Sequence, residues 1–217
     1  MRKGRKLMKV SIIVLIIVCL PIVSVLMRFF VTSKDRIEPF LDAQGNVLEG
    51  SVAQKVFLTV NGNENGMIIR GKSEENPVLL FISGGPGVPQ YWLNEYYENK
   101  LEDYFTVCWW DYYGEGLSYD AKIDKSEITL ERLEQDAVTI TEYLKERFSK
   151  DKIYLMAHSG GTPLGVVLAK NHPELFYCYF SMGQVVQNGY DRYTYGYQFM
   201  KEIFEKTGNK RAMRKMD

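Results

Sequence analysis

The segment Ala157-His158-Ser159-Gly160-Gly161 constrains the fold more than any other part of this sequence. It follows the apolar run at 153–156 and precedes a helix-compatible stretch, so the pattern predicts a strand, a sharp turn and a helix. The turn strains the backbone at Ser159, and small neighbouring residues prevent collisions with adjacent elements. Acyl-transfer enzymes present a nucleophile with this local geometry.

Apolar runs elsewhere predict a sheet with helices between its strands. The buried strands are expected at 78–82, 107–110, 153–156 and 177–182, because continuous apolar runs are typical of strands covered on both faces. Residues 51–60 and 67–69 flank a turn-rich segment at 61–66, which predicts a β-hairpin. Apolar residues from Leu130 to Phe148 recur at three- and four-residue spacing and predict a core-facing helix. This alternation favours a mostly parallel, doubly wound α/β sheet opened by the hairpin.

Two further helices are expected in the second half of the chain. One begins after Ser159, with Pro163 in its first turn, and ends near Asn171-His172-Pro173. The other is an aromatic-rich stretch at 190–204, closed by Thr207-Gly208-Asn209.

The N-terminal segment has the character of a membrane anchor. Five basic residues precede residues 10–27, which carry no charge and would span about 27 Å as a helix. The basic cluster should stay on the cytoplasmic side, which places the chain from about residue 35 onward outside the membrane. A signal peptide cleaved near Val31-Thr32-Ser33, giving a secreted protein, and a buried core helix are the alternatives.

The composition argues against several classes of function. The chain has 27 basic and 27 acidic residues, so no net charge points to a nucleic-acid partner. Its two histidines and three cysteines show no metal-ligand spacing, so neither a metal nor another cofactor is expected. The cysteines also form no disulfide framework, and core packing is favoured for Cys108 and Cys178.

A glycine-rich loop, Ser83-Gly84-Gly85-Pro86-Gly87, follows the first buried strand. Glycines there let backbone N–H groups approach a bound oxygen, which an oxyanion hole requires. Gly85 or its neighbour would be one donor, and Gly160, the residue after the serine, the other. An ordinary glycine-rich turn is the alternative.

Asp111 ends another predicted strand, in Trp110-Asp111-Tyr112-Tyr113-Gly114-Glu115-Gly116-Leu117-Ser118. It could act as a triad acid, but a structural role, accepting hydrogen bonds from loop N–H groups, is favoured. His158 adjoins the serine, and its side chain should point away from the nucleophile and help to order the turn.

Together, Gly84 to Gly87, the Asp111 loop and His158 to Gly161 resemble the α/β-hydrolase superfamily, most closely its proline iminopeptidase-type branch. Gly183-Gln184-Val185-Val186 is similar to the point where that branch enters its helical cap. The resemblance covers about residues 50–217, the first two-thirds of a family member. It implies a hydrolase core at 35–186 and the beginning of the cap at 187–217, after the stub, anchor and linker at 1–34. Three positions depart from the family pattern: Ser83, Tyr113 and Ala157.

In this superfamily the triad acid and histidine follow the serine. The one histidine after Ser159 here is His172, at the far end of the helix that begins at Ser159, roughly 18 Å away. It cannot be the base. We therefore expect the chain to be the N-terminal part of a hydrolase, without the last strands and the two triad partners.

The resemblance implies a serine hydrolase that cleaves a small acyl substrate through an acyl-enzyme on Ser159. The expected substrate is a small molecule or a short peptide, and a peptide would be cleaved at its N-terminal peptide bond. An esterase or lipase-type enzyme of the same fold, and an inactive membrane-tethered binding module, are the alternatives. A serine at the turn argues against the epoxide-hydrolase and dehalogenase branches.

Overall fold

The structure is a computed structural model that describes residues 19–25, 27, 37–85, 87–97, 100–186 and 189–216, with side chains given for all but 189–193. The chain divides into two compact units at 1–38 and 39–217, whereas the sequence predicts a boundary after residue 34. In the first unit, residues 19–25 are helical. The predicted boundary between residues 186 and 187 stays a prediction.

Among the described residues of the second unit, six strands form one sheet. They are β1 (Val52–Val60), β2 (Asn63–Gly71), β3 (Val78–Ile82), β4 (Thr106–Asp111), β5 (Ile153–His158) and β6 (Phe176–Met182). Their order is β1-β2-β4-β3-β5-β6. The pairs β1–β2 and β2–β4 are antiparallel, and β4, β3, β5 and β6 run parallel. A mostly parallel sheet opened by a hairpin is therefore confirmed.

The hairpin turn is shorter than the sequence pattern suggests. Only Asn61 and Gly62 connect the strands, with φ angles of +47° and +80°. A two-residue turn with positive φ at both positions matches the twist of the paired strands, and Asn-Gly is its preferred sequence. The prediction that the turn covers 61–66 is wrong, because β2 already begins at Asn63.

The described part of the second unit also contains six helices. They are α1 (Tyr91–Tyr96), α2 (Leu101–Tyr104), α3 (Leu130–Arg147), α4 (Thr162–Asn171), α5 (Gly189–Lys206) and α6 (Lys210–Met213). The Thr129 hydroxyl caps α3 by accepting the Arg132 N–H at 3.2 Å. The predicted apolar stripe of α3 is confirmed at Ala137, Ile140 and Leu144, which are fully buried, whereas Leu130 at the start of the helix is exposed.

One face of the sheet carries the main hydrophobic core. Alternate strand residues such as Leu80 and Trp110 join Ile140 of α3 and Leu168 of α4 in one buried cluster. Trp110 donates its indole N–H to the Asn65 side chain at 3.1 Å, so its polar atom is satisfied within this core. The core fixes the parallel strands whose carboxyl ends carry the candidate site.

The opposite face has a thinner cover. Phe81 and Trp109 lie there with ring centroids 4.5 Å apart, and Tyr91 of α1 meets Trp109 edge-on at 6.1 Å. Beside them is an apolar cavity of about 420 Å³ whose polar rim includes Gln90, Asn94 and His158. Neither Ser159 nor Gly160 lines this cavity.

Strand β6 is the outermost parallel strand of the described sheet. Most of its side chains are exposed, including Tyr177, Cys178 and Met182. Core packing was expected for Cys178 from the apolar run around it, and that prediction is wrong, because no described element covers this part of the edge strand. Cys108 is buried as predicted, 3.6 Å from the Met67 sulfur.

Among the described residues, no helix is long and apolar enough to cross a membrane. The predicted anchor at 10–27 lies mostly outside the described residues, so it stays a prediction.

Candidate active site

The turn after β5 places Ser159 on strained backbone. Ser159–Gly161 form a single 3₁₀ turn between β5 and α4, and Ser159 has a φ of +45°. A residue other than glycine pays about 1–3 kcal/mol for such a conformation, and strain of this kind concentrates at functional sites. The Thr162 hydroxyl donates to the Ser159 carbonyl at 2.6 Å and helps to hold the turn.

Both glycines after Ser159 are required by close packing. A Cβ on Gly160 would overlap the Gly85 carbonyl oxygen and lie 2.9 Å from its carbonyl carbon. A Cβ on Gly161 would overlap the Ser83 carbonyl oxygen and lie 2.8 Å from Ile82 Cγ2. The turn and the glycine-rich loop that follows β3 therefore contact each other backbone to backbone, as the small residues of the motif predict.

Side chains already occupy two N–H groups of the glycine-rich loop. The Gly84 N–H donates to Gln90 Oε1 at 3.1 Å, and the Gly87 N–H donates to Glu115 Oε2 at 3.0 Å. Pro86 lies outside the described residues, and a proline has no N–H to donate. No hydrogen bond joins the Gly85 N–H to another described residue. Gly85 therefore keeps a donor available, next to Gly160.

Gln90 connects the glycine-rich loop to the turn. While its Oε1 accepts from Gly84, its Nε2 lies 2.7 Å from His158 Nδ1. An amide nitrogen can only donate, so Nδ1 accepts and the ring proton of neutral His158 is on Nε2. The expected ordering role of His158 takes this form. Sequence reasoning missed Gln90, since a single glutamine after a loop carries no motif.

Asp111 holds the loop that follows β4. Its Oδ2 accepts the Leu117 N–H at 2.9 Å, and its backbone carbonyl accepts the Ser118 hydroxyl. Burial raises the pKa of Asp111 to about 6, and the Leu117 hydrogen bond opposes that rise. Of the two roles considered for Asp111, these contacts match the structural one.

Glu115 is a second buried carboxyl of the same loop, and sequence reasoning did not single it out. It is 3% exposed. Burial, followed by the neighbouring charge of Asp111, raises its pKa to about 7, although hydrogen bonds from Gly87 and Tyr112 lower it. The loop after β4 therefore holds two buried acids whose pKa values are raised to about 6 and about 7, and one of them, Glu115, bonds to the glycine-rich loop.

The other histidine lies away from the turn. His172 follows the last residue of α4, and its Nε2 is 3.0 Å from Glu134 Oε1 on α3. It thus ties two helices together, as expected for a structural residue. Within the described part of the chain, no group of three or more His, Cys, Asp or Glu side chains is placed to hold a metal ion.

Ser159 lies on a strained strand–turn–helix connection, against a glycine-rich loop at the end of the neighbouring parallel strand. This arrangement defines a class of protein. A family model described as alpha/beta hydrolase fold matches residues 77–207, and the chain belongs to this family.

Within the family, the chain is similar to peptidase-like members. It is 39% identical to the probable aminopeptidase YbaC of Bacillus subtilis over 71% of this chain and 48% of that protein. It is 31% identical to the proline iminopeptidase of Saccharolobus solfataricus over 62% of this chain and 40% of that protein. The chain thus spans about half the length of the curated relatives that it matches.

Solved structures show the same fold. A proline iminopeptidase-related protein from Thermus thermophilus matches with a TM-score of 0.51 and 24% identity, over 60% of this chain and 44% of that one. A Vigna radiata epoxide hydrolase variant matches with a TM-score of 0.50 and 24% identity, over 59% and 38% of the two chains. At this identity the two likenesses support the α/β-hydrolase fold alone.

Proposed function

We propose that this hydrolase is a serine enzyme that removes an N-terminal residue from a short peptide through an acyl-enzyme on Ser159. The observation that carries the proposal is the position of Ser159, at a φ of +45° beside a glycine-rich loop whose Gly85 N–H has no hydrogen-bond partner among the described residues. The two curated relatives are named aminopeptidase and iminopeptidase, which favours an N-terminal peptide bond over an ester.

In the proposed reaction, Ser159 Oγ bonds to the substrate's carbonyl carbon and its proton passes to a general base. The Gly85 and Gly160 N–H groups donate to the resulting oxyanion, which is the most heavily stabilised group of such a reaction. The C–N bond then breaks, and the base returns its proton to the leaving amine. A water molecule then attacks the carbonyl carbon of the acyl-enzyme ester and gives its proton to the same base. The C–O bond to Ser159 breaks, and the base returns the proton to Ser159 Oγ.

Neither histidine of the described residues is free to act as the general base of this reaction. His158 is committed to Gln90 and His172 to Glu134. Removing a triad member typically leaves only the residual catalysis that the oxyanion hole and binding supply.

The test is hydrolysis of aminoacyl and acyl reporters by the protein expressed from its natural gene. We expect an aminoacyl anilide to release its aromatic amine faster than a simple acyl anilide with the same leaving group, and we expect both reactions to be lost in Ser159→Ala. Faster cleavage of the simple acyl group at this shared leaving group would favour the esterase alternative. Equal rates in the wild type and Ser159→Ala would contradict a serine mechanism, and no hydrolysis by the folded wild type would favour a binding role.

A further inference from the structure

Glu115 occupies a built position against the glycine-rich loop. Both of its neighbours, Gly114 and Gly116, have left-handed backbone with φ angles of +92° and +45°, which glycine adopts without steric cost. A Cβ on Gly116 would overlap Asp111 Oδ2 and lie 2.5 Å from Pro89 Cγ, so this segment packs tightly on the residues that follow the loop. Glu115 is thereby held in place by backbone that has little room to move.

The carboxylate of Glu115 holds one end of the glycine-rich loop. Its Oε2 accepts the Gly87 N–H at 3.0 Å, while Gln90 holds the Gly84 N–H at the other end. Between these two fixed points lies Gly85, at a φ of +112°. A peptide group in such a glycine can rotate readily unless both ends of the loop are held.

We propose that Glu115 is a positioning residue of this hydrolase, whose buried carboxylate fixes Gly87 and thereby holds the Gly85 N–H in position for an oxyanion. This inference rests on the function proposed above for Gly85, and it assigns to Glu115 no contact with substrate. It also makes the order of the loop dependent on pH, because an ionised carboxylate is a stronger acceptor than a protonated one.

The surroundings of Glu115 set the pH range of this effect. Asp111 and Tyr112 are the titratable groups that act on it: the charge of Asp111 raises the pKa of Glu115, and hydrogen bonds from Tyr112 and Gly87 lower it. Burial is the largest cause, and together these effects raise the pKa of Glu115 to about 7. The loop should therefore be held most firmly above neutral pH.

The test follows the glycine amide resonances of the whole protein by NMR, in detergent micelles and with ¹⁵N-glycine labelling, from pH 5 to 9. The Gly87 resonance is assigned from its loss in Gly87→Ala. We expect the Gly87 and Gly85 resonances to shift together in one titration step near neutral pH. Glu115→Gln should abolish the step, and Glu115→Ala should also move the Gly87 proton upfield at every pH. Glu205→Gln, at an exposed carboxylate of α5, is the matched control and should change nothing.

A second readout separates this inference from the proposed function. At pH 8, Glu115→Ala should slow fluorophosphonate labelling of Ser159 about 10²-fold, the effect of a misplaced catalytic group, and Glu115→Gln should restore most of it. Equal labelling rates in all variants would overturn the positioning role. A Gly87 resonance that is the same in the wild type and in the Glu115 variants would also overturn it. A wild type that does not label counts against the proposed function, and the NMR result then decides alone whether Glu115 holds the loop.

Discussion

Replacing Gly160 by alanine tests the contact on which the candidate site depends. The new Cβ would overlap the Gly85 carbonyl oxygen and lie 2.9 Å from its carbonyl carbon. Carbon atoms in favourable contact are about 3.5–4.0 Å apart, and the overlapping oxygen is nearer still, so the glycine-rich loop would have to retreat by at least about 1 Å. Gly85 and Gly160 are the proposed oxyanion donors, so this displacement separates the two groups that must meet one oxygen.

The cost follows from the kind of contact. Overpacking a tight site costs about 1–3 kcal/mol. A loss of about 2 kcal/mol lowers the Tm of a domain of this size by about 4–8 °C. The loss of one oxyanion donor slows reaction by about 10²–10³. Thermal unfolding and fluorophosphonate labelling of the same preparations measure the two effects.

Gly196→Ala is the matched control for this variant. Gly196 lies within α5, has ordinary helical backbone and has no neighbour within 4 Å of an added Cβ. Alanine there should raise helix stability by up to about 1 kcal/mol and leave labelling unchanged. If Gly160→Ala behaves like Gly196→Ala in both assays, the turn and the glycine-rich loop are not in contact as described.

Three other predictions follow from the same geometry. Ser159→Gly should be more stable than Ser159→Ala by about 1 kcal/mol, since only glycine is relieved of the strain at positive φ, and equal Tm values would count against the strained turn. The pKa of Glu115 is raised from 4.5 to about 7, so the folded state binds this proton more tightly than the unfolded state. The free energy of unfolding should therefore fall by up to about 3 kcal/mol as the pH rises from 4.5 to about 7. Glu115→Gln should flatten this slope, and an unchanged slope would show that other groups cause it. Gln90→Leu removes the bridge between loop and turn and should lower stability by about 1–3 kcal/mol, whereas exposed Gln44→Leu should not; chemical denaturation measures both.

The buried strands and the turn at Ser159 were predictable because the local sequence specifies them. The run at 78–82 matches β3 residue for residue, since a strand covered on both faces must be apolar throughout. The strand–turn–helix at 153–171 was predictable for a related reason: strained backbone demands small residues at fixed positions, and those are visible in one sequence.

The parts that the sequence did not predict depend on distant neighbours. Gln90 meets His158 across 68 positions, and Glu115 meets Gly87 across 28, so no local spacing announces either contact. The prediction that Cys178 packs in the core was wrong for a related reason. An apolar run shows that a strand is apolar, but it does not show whether another element covers that strand. The turn at 61–66 was placed too long because its polar residues resemble a loop although they pair in β2.

Fluorophosphonate labelling of Ser159, located by mass spectrometry in the protein expressed from its natural gene, tests the central claim most directly. The account predicts one modified peptide, containing Ser159, that disappears in Ser159→Ala and is strongly reduced in Gly160→Ala. Complete absence of label at Ser159 in folded wild-type protein, or label on another serine that survives Ser159→Ala, would contradict it.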